Sequence, residues 1–186
     1  MAFSEDAAFK SPQNIRASIN LGSAYLQAGR VEDAFNSYSY AIRIASQQQT
    51  AVNEKSGIMS LKDKMPAKAY LNRGNIYKEN GMHEEALADY SMAIKIYPRM
   101  KGPHFNRGYI YLQRGDNALA ISDYTDAIKI DPDNAITYYN RAFALRAIGN
   151  FQGALDDLDS AIQLNPGLME AHAQRKMLRQ KISGSN

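Results

Sequence analysis

The chain has 186 residues, 45% of them apolar and 22% charged, a composition that excludes a wholly disordered or collagen-like polymer and fits one folded domain. Its 22 basic and 19 acidic residues give a net charge of +3 without a block of like charge, too weak a field to point to nucleic acid. The absence of cysteine excludes disulfides, thiolate metal sites and a cysteine nucleophile, and fits a reducing, cytoplasmic location.

Taken in chain order, Met1 to Gln13 carries Glu5 and Asp6 and no apolar run of signal-peptide length. Nowhere do about 18 consecutive apolar residues occur, so neither secretion nor a membrane span is expected. A first unit, 15–46, holds Leu21, Gly22, Tyr25, Gly29, Ala34, Tyr38 and Ala41. A polar insert follows at about 47–66. It is expected to lengthen the preceding helix, break at Gly57 and continue as a mobile loop, most simply a tolerated surface insertion. Three further units, 67–100, 101–134 and 135–168, repeat one pattern every 34 residues. The columns are Gly74, Gly108 and Ala142; Tyr77, Tyr111 and Leu145; Gly81, Gly115 and Gly149; Ala86, Ala120 and Ala154; Tyr90, Tyr124 and Leu158; and Pro98, Pro132 and Pro166. A last helix, 168–182, has a polar face of Arg175, Lys176, Arg179 and Lys181, as the end of a stack of repeats needs.

Inside each unit apolar residues recur at steps of three and four, as in Ala86, Leu87, Tyr90, Ala93 and Ile94, which specifies helix. The mid-unit glycine breaks that pattern, and a stretch such as Asp131-Pro132-Asp133-Asn134 ends one helix and starts the next. Each unit therefore reads as a helical hairpin. Small residues at Gly74 and Gly108 allow close backbone approach. Ala86 and Ala120 are expected to face them, with tyrosines filling the space around.

These columns resemble the tetratricopeptide repeat family over about residues 14–182. The resemblance implies an all-α, right-handed solenoid of antiparallel helix pairs, four units plus a capping helix, whose first helices line a concave groove that binds peptides. The chain departs from the family pattern in having Ser18, Tyr70, His104 and Tyr138 where tryptophan is common, and in the insert.

Two residues before each small landmark stands an asparagine: Asn20, Asn72, Asn106 and Asn140. One per repeat on stacked first helices, they are expected to form a ladder whose amides match the alternating donors and acceptors of an extended peptide. A role in helix packing is the competing reading. Helical spacing brings Arg16, Lys68 and Asn75 to the same side early in the chain, and Phe105, Tyr109, Tyr139 and Phe143 late. The expected ligand is thus polar or acidic against the early half and apolar against the late half, with the alternative that some of these rings pack on neighbouring helices. The carboxylate-gripping set of chaperone adaptors, which pairs lysine and asparagine, is not matched: Leu71 and Ile136 stand where basic residues are needed.

Arg73, Arg107 and Arg141 recur with Asp89, Asp123 and Asp157, whereas the first unit has Leu21 and Ser37 in these places. Joint loss suggests an ion pair across each hairpin; Arg175 continues the column with no aspartate after it and is expected to be freer. The histidines His83, His104 and His172 lack metal or catalytic spacing, and no phosphate loop or nucleophile elbow occurs. The sequence reads as a non-catalytic adaptor for a protein or peptide partner, monomeric by itself and without cofactor, metal or nucleic acid. A structural subunit of a larger assembly is the alternative.

Overall fold

The computed structural model describes residues 15–51 and 61–184. Among these residues there are nine α-helices and no strand: α1 Ile15–Gln27, α2 Val31–Ala51, α3 Leu61–Glu79, α4 His83–Ile96, α5 Lys101–Arg114, α6 Asn117–Ile130, α7 Ala135–Ala147, α8 Phe151–Leu164 and α9 Met169–Ser183. None is long and apolar enough to cross a membrane. Two compact units divide between Pro98 and Arg99. The first contains the hairpins α1/α2 and α3/α4, with α2 packed on α3 and α1 touching α3; the second contains α5/α6 and α7/α8, with α6 on α7, α5 touching α7, and α9 closing against α8.

The hairpin turns follow from one residue each. Gly29, Gly81, Gly115 and Gly149 all adopt positive φ, between 72° and 82°, where a Cβ would crowd the next carbonyl. At Gly81 the turn is closed by two bonds that satisfy the last carbonyls of α3, Gly81 N to Lys78 O at 3.1 Å and Met82 N to Tyr77 O at 2.9 Å. The other three glycines repeat this pair of bonds, so one local rule reverses the chain four times. The next helices begin from side-chain caps where the sequence supplies them: Asn134 accepts from Thr137 N and Asn150 from Gly153 N.

Packing inside a hairpin differs in one respect from the sequence expectation. The nearest neighbours of Gly74 are the ring of Tyr90 and the Cβ of Asp89, not Ala86; a Cβ on Gly74 would lie 2.8 Å from Tyr90 Cε1. Gly22 and Gly108 meet Tyr38 and Tyr124 in the same way. The glycine thus makes a socket for a ring one turn further along the antiparallel helix. Tyr38, Tyr90 and Tyr124 are fully buried, each worth on the order of 2 kcal/mol in apolar burial. Ala142 and Leu158 fill the same place in the last hairpin and belong to the core that α9 covers through Ala171 and Leu178.

The insert lengthens α2 as expected, and only its downstream edge is more helical than the loop expectation. α2 continues to Ala51 and α3 begins at Leu61, a turn before Pro66, which sits inside the helix although it supplies no N–H to it. Gly57 and the N-terminal stretch Met1–Gln13 lie outside the described residues.

Candidate functional site

In the first unit, α1 exposes Arg16 and Asn20 and α3 exposes Lys68, while Asn72 is half-buried. Asn75 has a task the sequence did not reveal. Its Oδ1 accepts from the hydroxyl of buried Tyr90 at 2.9 Å, as Ser23 Oγ lies 3.2 Å from the hydroxyl of Tyr38. The residue after the glycine stands over the ring socket, so a polar side chain there serves the tyrosine beneath.

In the second unit the residue after Gly108 is Tyr109, 41% exposed. The hydroxyl of Tyr124 is buried beside Asn140; burial pushes its ionisation far above the ordinary range, Tyr109 adds to this, and Asn140 opposes it. Asn106 and Asn140 are half-buried at equivalent positions of α5 and α7. Phe105 packs edge-on to Tyr124, with centroids 5.8 Å apart, which is the packing role weighed above for some of the rings. Tyr139 and Phe143 form an edge-on pair at 4.9 Å and remain half-buried, and Ile136 beside them is 42% exposed. The Tyr139 phenol is pushed up by burial and by Glu170, with Arg146 acting against them.

The arginine and aspartate columns meet as ion pairs. Arg73 Nε and Nη2 each reach Asp89 at 2.8 Å; Arg107 reaches Asp123, and Arg141 reaches Asp157, at 2.7 to 2.8 Å. Two of these arginines also bond the preceding hairpin, Arg73 Nη1 to Ser39 at 3.3 Å and Arg141 Nη1 to Thr125 at 3.0 Å. Each fork therefore ties three helices. Asp159 follows Thr125 in that column, and Arg175 Nη1 bonds it at 2.6 Å. Arg175 is thus not the freer member expected: an acid on the helix before meets it. His104 is buried with Nδ1 3.6 Å from Asp123 Oδ1. Burial alone would raise the Asp123 carboxyl, but the two bonds from Arg107 and the nearby His104 imidazole outweigh it and hold the carboxyl below its usual range.

The sequence reading stopped its ladder at Asn140, yet the same 34-residue step continues onto α9. It carries Asn140 to Gln174, Phe143 to Met177 and Ile136 to Glu170. Gln174 Oε1 accepts from Arg146 Nη1 at 3.0 Å, joining α7 to α9 on the face that bears Tyr139 and Phe143. The signal was the period itself, applied to a helix read only as a cap.

Models of the tetratricopeptide repeat match residues 67–100 and 135–168, and another matches 2–49; a TPR repeat model matches 108–147. No curated protein matches the chain in sequence. Among solved structures, the Arabidopsis OM64 TPR domain is similar with a TM-score of 0.61 and 24% identity, covering 63% of this chain and 98% of that one. The first TPR of Spaghetti (RPAP3) bound to the HSP90 peptide SRMEEVD gives 0.63 and 24%, over 65% and 96% of the two chains. MamA from Desulfovibrio magneticus RS-1 gives 0.72 and 15%, over 92% and 86%. At these identities the structures speak for a shared fold.

Proposed function

Because the chain belongs to the tetratricopeptide repeat family, a family of protein-interaction modules, we propose that it is a non-catalytic adaptor that holds an extended segment of a partner protein against its first helices. The observation that carries this is what α5 and α7 leave uncovered: Tyr109 and Ile136 stay more than 40% exposed beside the half-buried Asn106 and Asn140. Large apolar side chains interleaved with amides suit a peptide, whose side chains seek apolar surface while its backbone needs hydrogen bonds. Arg16, Asn20 and Lys68 give the first unit a polar, basic counterpart.

The RPAP3 domain that binds an HSP90 peptide supports the class of ligand but not that ligand here. Leu71 and Ile136 replace the basic residues such a terminal carboxylate needs, and the Oδ1 of Asn75 is engaged by Tyr90. Affinity capture from lysate tests the proposal, comparing the native chain with N72A/N106A and with Y139A/F143A, each first checked for helical content. Loss of the same partners in both variants is expected. Equal recovery by all three proteins would refute binding on these faces.

A further inference from the structure

Five arginines among the described residues are half-buried, and four of them face aspartates: Arg73, Arg107 and Arg141 across their own hairpins, and Arg175 at Asp159. The fifth, Arg146 on α7, is held differently. Its guanidinium carbon lies 4.9 Å from the ring centroid of Phe143, its Nη1 donates to Gln174, and no carboxylate among the described residues comes within ion-pairing distance.

Sequence explains the missing acid. The column of Arg146 holds Leu26, Lys78, Leu112 and Gln180, and the residue that meets it from α9 is the neutral Gln174. Glu170, one turn before Gln174, is exposed and outside pairing distance. A guanidinium laid on an aromatic ring and pinned at one nitrogen has already lost much of its freedom, so its remaining donors are oriented before a ligand arrives. Being half-buried, it is also less hydrated and less screened than an arginine in open solvent.

The apolar surroundings narrow what fits. Tyr139 stands edge-on to Phe143, and Met177, 58% exposed, occupies the place on α9 that corresponds to Phe143 on α7. We propose that Arg146 and Gln174 form a carboxylate subsite. In it the guanidinium and the Gln174 amide receive an acidic side chain of the bound peptide, and the apolar residue next to that acid lies on Tyr139, Phe143 and Met177. This rests on the peptide-binding reading above and alters it in one way: acid selection falls on the second unit, among the aromatics, as well as on the basic side chains of the first. A chain-terminal carboxylate offers the same chemistry, and the peptides used below separate the two sources.

The test is selection of a random dodecapeptide library on the full chain, followed by titration of the selected peptides, synthesised with free and with amidated C-termini. Wild-type protein is expected to enrich aspartate or glutamate beside an apolar residue. Changing that acid to its amide should weaken binding about ten-fold, the loss of one charge-assisted pair. R146M, which keeps an apolar stem on Phe143, should bind acid and amide peptides alike, while R146K should recover part of the difference. Loss on C-terminal amidation instead would assign the subsite to a terminal carboxylate. Peptides that need Tyr139 and Asn140 but show no acid preference, or bind R146M as well as wild type, would overturn the subsite and leave the peptide face standing. Peptides indifferent to Y139A and N140A, or no selection at all, would overturn both. If R146M failed to fold, R146Q titrated with the same acid and amide peptides would decide the matter: an acid preference kept in R146Q would overturn the subsite.

Discussion

Replacing Arg141 by methionine isolates the cost of an unpaired acid in the second unit. The Asp157 side chain is 7% exposed and receives two bonds, at 2.8 and 2.7 Å, from an arginine that is itself 20% exposed. Removing the arginine deletes both bonds and the one to Thr125, and leaves a carboxylate where water reaches it poorly. Breaking a buried pair from one side costs about 3–5 kcal/mol, and the partial exposure of the arginine places this case near the lower end. For a chain of this length about 3 kcal/mol corresponds to a fall of about 6–12 °C in Tm. The double variant R141M/D157L removes the charge and the hole together, so most of that loss should return. Urea titrations of wild type, both single variants and the double variant, followed by far-ultraviolet circular dichroism, would give the coupling energy, expected at about 2 kcal/mol. A coupling below about 0.5 kcal/mol, or R141M alone costing less than 1 kcal/mol, would show that the pair is solvated and that this hairpin is held by apolar packing alone.

The pH dependence follows from Asp123, whose folded pKa lies below the ordinary value of 3.8. A depressed carboxyl contributes stability that is complete above its unfolded pKa and is lost as pH falls through the folded one. D123N should therefore be less stable than wild type at pH 7, and the gap should narrow below about pH 4; a gap constant from pH 7 to pH 3 would contradict the assignment. Two glycine substitutions separate backbone from packing effects. G81A meets nothing within 4 Å but must hold a φ of +72°, and should cost about 1 kcal/mol. G74A has ordinary helix geometry but drives a methyl to 2.8 Å from Tyr90, and should cost about 1–3 kcal/mol with a changed Tyr90 environment in near-ultraviolet circular dichroism. Equal near-ultraviolet spectra for the two variants would argue against the ring socket.

Much of this is legible in the sequence, because it depends on sterics within a few residues and on a period. Gly81 terminates α3 whatever surrounds it, since only glycine adopts that φ cheaply. The 34-residue step fixes which residues are equivalent, so the pairing of Arg73 with Asp89 could be inferred from the joint absence of both columns in the first repeat, which has Leu21 and Ser37. The candidate site was legible as columns: the same step that defines the asparagine ladder also leads to Gln174.

What each column does was not legible, since it turns on which atom a side chain meets across helices distant in sequence. Ala86 and Tyr90 are both on the inner side of α4, and only the antiparallel approach of α3 decides that the ring, not the methyl, lies on Gly74. Asn75 and Tyr109 hold equivalent positions, but the first is short enough to accept the hydroxyl of Tyr90 and the second is turned outward over Tyr124. Arg146 and Arg175 look alike in a linear string. Tertiary packing brings Asp159 to one and only a ring and a neutral amide to the other, because an arginine's long side chain reaches whatever the neighbouring helix presents. Periodicity and local sterics thus determined the hairpins and their register, and the approach of helices far apart in sequence decided which arginines meet a carboxylate, as Arg141 does at Asp157, and which meet a ring and a neutral amide, as Arg146 does.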